Sequence, residues 1–112
     1  MAASTISLVV GWTAELPAFT LKANGTVLDL TGFTDDQIVA KIKRTGSATY
    51  LDTEGNVRID ADPTTGKVYY KPDAGDFPAA GTYDLRFQVT DGDGDVEFFP
   101  NGVPNSLIVY LP

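Results

Sequence analysis

The sequence predicts an all-β protein: a β-sandwich of two antiparallel sheets, about eight short strands, in one domain over residues 1–112. Three observations carry this. Apolar residues recur with period 2 nearly everywhere, and no segment holds a 3.6-residue apolar period for even three turns. Turn signals interrupt the pattern roughly every 8–12 residues, the spacing of sandwich strands. Eleven Gly and seven Pro in 112 residues are too many for long helices.

The first expected strand alternates Ile6, Leu8 and Val10 with Ser7 and Val9. Phe19 and Leu21 alternate with Thr20 and Lys22, and Thr26–Leu30 returns after Asn24-Gly25, the strongest short hairpin signal. Gln37–Arg44 follows with Ile38, Ala40 and Ile42 inward, then Asn56–Asp60 with Val57 and Ile59 inward, then Lys67–Lys71 with Val68 and Tyr70 on one face. The clearest strand is Thr82–Thr90: Tyr83, Leu85, Phe87 and Val89 share one face, and Asp84, Arg86 and Gln88 the other. Such alternation marks a strand with one dry and one wet side. Val96–Phe99 and Ser106–Leu111 complete the set. Between them lie Asp62-Pro63-Thr64-Thr65-Gly66, the longer Lys71–Pro78 crossover, Asp91-Gly92-Asp93-Gly94-Asp95, and Pro100–Pro104. The stretch Thr34-Asp35-Asp36-Gln37, with Thr34 placed to cap, reads as a plain loop.

Composition excludes whole classes of chemistry. The chain has no Cys and no His, so thiolate and imidazole catalysis, disulfides and Cys-type zinc sites are impossible. Eight Lys+Arg against fifteen Asp+Glu give a net charge of −7, which argues against nucleic acid, since phosphate binding needs a basic patch. Lys41, Lys43 and Arg44, the densest cationic group, read as a solvated strand face. No stretch reaches the ~20 apolar residues of a membrane span, and the start lacks the basic and apolar regions of a secretion signal.

Several motifs have a chemical and a plain reading. Asp91, Asp93 and Asp95 alternate as calcium ligands do, but the EF-hand position for Glu is Gly102, so a tight turn is the expectation. The pairs Asp35/Asp36, Asp60/Asp62 and Asp73/Asp76 would need a shielded pocket to run acid/base hydrolysis, and loop carboxylates that cap and solubilise are expected instead. Asn24-Gly25-Thr26 fits the glycosylation pattern and is explained by the hairpin. No catalytic residue, metal ligand or cofactor site is expected. Trp12 reads as core.

At Gly81-Thr82-Tyr83 a family likeness enters. Gly-x-Tyr opening a late alternating strand resembles the tyrosine corner of immunoglobulin-like domains. With its surroundings, the chain resembles the immunoglobulin-like N-terminal domain of bacteriophage baseplate upper proteins. Pro17–Leu21 with Asn24-Gly25, Asp29-Leu30-Thr31-Gly32, Gly66–Tyr70, Ala80–Phe87, and Phe98-Phe99-Pro100 with Ile108-Val109 carry the likeness, over roughly Pro17 to Val109. The resemblance implies a non-enzymatic structural protein of the virion, assembled in the host cytoplasm. Baseplate upper proteins continue into a stalk, whereas this sequence ends at Pro112, which implies the docking module alone.

A docking module needs a surface. Val9, Tyr69, Phe99, Ile108 and Tyr110 fall on faces opposite the expected core and are the candidate interface residues. Strands near the termini tend to lie at sheet edges, where a neighbouring subunit can add a strand. The expected partners are other virion proteins in a baseplate, tail or head, or further copies of the chain. The alternative is a carbohydrate-binding sandwich using aromatic faces, with Tyr69 and Trp12 as its candidates; a hydrolase built on paired aspartates is more remote.

Overall fold

The computed structural model describes residues 5–23, 25–50, 56–73, 75–100 and 105–111. Within them are ten strands: β1 (Thr5–Val9), β2 (Phe19–Thr20), β3 (Lys22–Ala23), β4 (Thr26–Val27), β5 (Ile38–Arg44), β6 (Asn56–Ile59), β7 (Lys67–Lys71), β8 (Gly81–Thr90), β9 (Val96–Phe99) and β10 (Asn105–Tyr110). They form a five-stranded sheet in the order β1-β10-β8-β5, with β9 also paired to β8, a three-stranded sheet β2-β7-β6, and the small hairpin β3-β4.

β8 organises the large sheet because its alternation is the most regular in the chain. Tyr83, Leu85, Phe87 and Val89 are buried, as are Ile38, Ala40 and Ile42 on the neighbouring β5. On the other side, Leu85 faces Asn105 of β10 and Phe87 faces Phe99 of β9. The partner thus jumps from 105 to 99 while β8 advances two residues, so β9 and β10 lie end to end along one side of β8.

The two larger sheets meet through large side chains. Phe19 of β2 touches Phe87 of β8 with ring centroids 5.1 Å apart, and Phe77 bridges Tyr70 of β7 and Tyr83 of β8 at 6.5 and 5.4 Å. Tilted and edge-on rings of this kind add ~0.5–1.5 kcal/mol per pair beyond their buried area. The Tyr83 hydroxyl donates to the Ala79 carbonyl oxygen at 2.7 Å, the bond that a tyrosine corner makes.

Turn residues act where the sequence places them. β3 pairs with β4, Lys22 facing Val27, with Gly25 between them at φ 80°; Asn24, the other half of the expected turn, lies outside the described residues. Asp62 caps a 3₁₀ turn over Pro63–Thr65 by accepting from the Thr64 N–H, and Gly66 ends it at φ 67°. A side chain on Gly66 would collide with Val27, 2.7 Å away, and the Leu28 carbonyl oxygen at 2.8 Å, so the early hairpin packs directly onto this turn.

Four expectations are corrected. β1 pairs with β10 in parallel, so the large sheet is mixed rather than wholly antiparallel. A parallel pair cannot be joined by a tight turn, and here nearly the whole chain intervenes between the two strands. The Thr26–Leu30 strand keeps only Thr26–Val27 in β4, because the Leu30 N–H leaves the hairpin to bond the Pro63 carbonyl oxygen. Residues 35–37 form a 3₁₀ turn rather than a plain loop, held by a capping box between Thr34 and Gln37. Phe99 faces the core, 2% exposed, and its neighbour Phe98 faces outward.

Candidate docking surface

The outer face of the five-stranded sheet is fixed by the burial of the inner one. Every residue of β8 between two core positions must point away, and the cross-strand register carries that choice to each neighbour. Reading along the sheet, Val9 lies beside Tyr110, and Ser7 beside Ile108, which faces Thr82. Next, Ser106 faces Asp84, which faces Lys43; then Arg86 faces Lys41; then Phe98 faces Gln88, which faces Val39.

This layout gives the face two apolar ends and a charged middle. Val9 and Tyr110 are 37% and 54% exposed, with Ile108 half-buried beside them and Leu111 beyond. At the far end Val39, Val96 and Phe98 are exposed, and the Tyr50 ring stacks parallel to Phe98 at 6.4 Å. The Lys43 ammonium sits 5.3 Å from the centre of the Tyr50 ring. In the middle, Lys41 and Arg86 are like charges directly opposite one another, an unfavourable cross-strand pair. Arg86 is partly satisfied by donating to the Pro100 carbonyl oxygen. Arg44 does not join this face: its guanidinium lies 5.3 Å from the Tyr83 ring centre and donates to the Ala80 carbonyl oxygen.

Three of the five interface candidates, Val9, Ile108 and Tyr110, therefore come together. Phe99 does not, because its pairing with Phe87 turns it into the core. Exposed Phe98 and half-buried Tyr50 are aromatics of this surface that sequence reading missed. The signal for Phe98 was present, since two adjacent aromatics in a strand must face opposite ways, but only the register says which is outside.

Tyr69 lies on the other sheet and is occupied there. Its hydroxyl donates to Asp60 Oδ1 at 2.8 Å, and the Arg58 guanidinium covers its ring at 3.9 Å. Arg58 in turn forms a two-pronged pair with Glu15 at 2.8 and 2.9 Å. The hydrogen bond to Asp60 raises the Tyr69 hydroxyl above its ordinary pKa and lowers the Asp60 carboxyl below its own. The pairing with Arg58 lowers Glu15 and raises Arg58. Trp12 is half-buried against the core, and its Nε1 donates to the Ala14 carbonyl oxygen.

The carboxylate pairs have structural partners. Asp35 accepts from the Ile59 N–H, Asp36 from the Thr34 hydroxyl, Asp60 from the Asp62 N–H, and Asp62 from the Thr64 N–H and hydroxyl. Asp76 is buried and accepts from the Tyr70 hydroxyl and the Asp73 N–H. In the Asp91–Asp95 turn, Asp91 Oδ1 accepts from the N–H groups of Asp93 and Asp95, and the Asp91 N–H donates to the Asp95 carbonyl oxygen. The hairpin thus accounts for this run, although oxygens of the three carboxylates lie within 4.8 Å of one another. Among the described residues, no helix is long and apolar enough to cross a membrane.

Compared with known families, residues 14–99 match the family model of the BppU N-terminal domain. No curated protein and no solved structure matches the chain.

Proposed function

This chain belongs to the BppU N-terminal domain family, phage baseplate structural proteins, and from that premise we propose that it is a non-enzymatic docking module of the virion. It attaches through the outer face of its five-stranded sheet. The observation that supports this reading most is the convergence of Val9, Ile108 and Tyr110 at the β1-β10 end of that face. Exposed apolar groups gathered on one sheet face mark a protein interface more often than they mark a monomer's surface. The second apolar end, around Phe98, lets one flat face grip a partner at two places. The charged row between them fixes the direction of docking, because charge complementarity selects orientation more than it adds affinity.

The partners are other baseplate proteins, and further copies of the chain within the same assembly. Repetition around a particle lets modest single interfaces hold together by avidity. The test is particle incorporation of Tyr110→Asp and Phe98→Asp, each checked for folding by circular dichroism. Loss of incorporation with folding retained is the expected result. Full incorporation of the double variant would remove the sheet face as the docking surface.

A further inference from the structure

At the end of the sandwich where β8 turns into β9, the core is left open. Leu28, Phe33, Val89 and Phe99 floor a cleft of 120 Å³, and Asp91, Asp95 and Glu97 stand around it. Strand register explains the opening. Phe87 faces Phe99 and Val89 faces Glu97, so Glu97 occupies the next inner-face place on β9 after Phe99. An apolar residue there would close the core. Glu97 stands exposed there instead, and Leu28 and Phe33 are only half-buried.

Carboxylates alone would describe a solvated hairpin. The difference here is an unfilled apolar hole beneath them, which water fills poorly and an aliphatic chain fills well. Among the described residues, no Lys or Arg lines the cleft. At 120 Å³ it is smaller than the ~300–1,000 Å³ of pockets for small molecules, and suits a single side chain.

We propose that this cleft receives a lysine side chain from a partner protein, its methylene stem on Leu28, Phe33, Val89 and Phe99 and its ammonium between Asp91, Asp95 and Glu97. Lysine buries its stem along apolar surface while its head stays among polar groups. Its compact head carries three donors, which suits several separate carboxylates, whereas the flat fork of arginine matches one carboxylate two-pronged. The proposal rests on the docking reading and adds the chemistry of the partner. It places a second contact at the sandwich end, away from the Val9-Tyr110 end of the sheet face.

The test is a titration of the isotope-labelled chain with n-butylammonium, the lysine side chain without its backbone, followed by backbone amide shifts. Saturable shifts at Leu28, Phe33, Val89 and Asp95 are expected, weakened about tenfold by Glu97→Gln, the scale of one charged hydrogen bond. Ammonium chloride and n-butanol serve as charge-only and stem-only controls, and calcium chloride as a second cation. Equal shifts with ammonium or calcium would reduce the site to ordinary counter-ion binding by the hairpin, and equal shifts with n-butanol would remove the carboxylates' role. Either result overturns the proposal, as does the absence of saturation. If the titration fails while incorporation still depends on Tyr110, the cleft falls and the docking reading stands.

Discussion

The Tyr70 hydroxyl donates to the Asp76 carboxylate inside the core, where Tyr70 is fully buried and Asp76 is 5% exposed. Asp76 also accepts from the Asp73 N–H and donates its own N–H to the Asp73 carbonyl oxygen, so one buried carboxylate ties the connection after β7 onto β7 itself. Tyr70→Phe removes the hydroxyl and leaves the carboxylate one partner short, at a cost of about 1–3 kcal/mol in urea unfolding. An unchanged midpoint would mean that Asp76 is solvated in the folded protein.

The same pair gives an alkaline limit. Burial, and then the bond to Asp76, push the Tyr70 hydroxyl far above its ordinary value. Because the folded-state pKa is raised, Tyr70's contribution is intact below the unfolded value of ~10 and is lost as pH climbs beyond it, where the unfolded chain ionises. Stability measured from about pH 9 to 11 should fall less steeply in Tyr70→Phe than in the parent. Parallel slopes would contradict the burial of this hydroxyl.

Phe98 and Phe99 should differ sharply. Phe99→Ala opens a cavity against Phe87 and should cost ~3–5 kcal/mol. Phe98→Ala lies outside the core and should stay below ~1 kcal/mol. Thermal unfolding of both variants decides it; the reverse order would place β9 one residue out of register.

Gly66 is both backbone and packing residue. Gly66→Ala forces a side chain into left-handed backbone at φ 67° and into the Leu28 carbonyl oxygen, so a loss of at least ~1–3 kcal/mol is expected. Gly75→Ala is the control, since nothing lies within 4 Å of its added carbon, and it should move stability by no more than ~0.5 kcal/mol.

On the acid side, Tyr69→Phe should let the Asp60 carboxyl rise toward its ordinary pKa, read by carboxyl carbon shifts across an NMR titration. The Tyr69 hydroxyl is the first cause of the Asp60 depression, ahead of the Asp62 N–H. A depressed carboxyl stabilises the fold above its unfolded pKa and loses that contribution as pH falls through its folded one. An Asp60 titration unmoved by Tyr69→Phe would assign the depression to the backbone instead.

Much of the fold was legible because two-residue alternation is a local property. Tyr83, Leu85, Phe87 and Val89 could only face one way together, and Gly25 and Asp62–Gly66 carry their turn geometry in their own backbone preferences. The Tyr83 corner was also readable, since its partner Ala79 lies four residues away. Composition, likewise independent of folding, removed histidine and cysteine chemistry.

What only the tertiary structure decided are the relations between distant strands. Alternation fixes that Phe98 and Phe99 face apart but not which is inside; pairing with Phe87 chose Phe99. It does not say that β1 runs parallel to β10, which brings Val9 beside Tyr110, nor that Tyr69 belongs to the opposite sheet under Arg58. The open core end beside Glu97 depends on β9 lying in register with β8. Each of these is set by packing between residues far apart in the chain, where the energy of burying one face chooses among registers that the local pattern leaves equal.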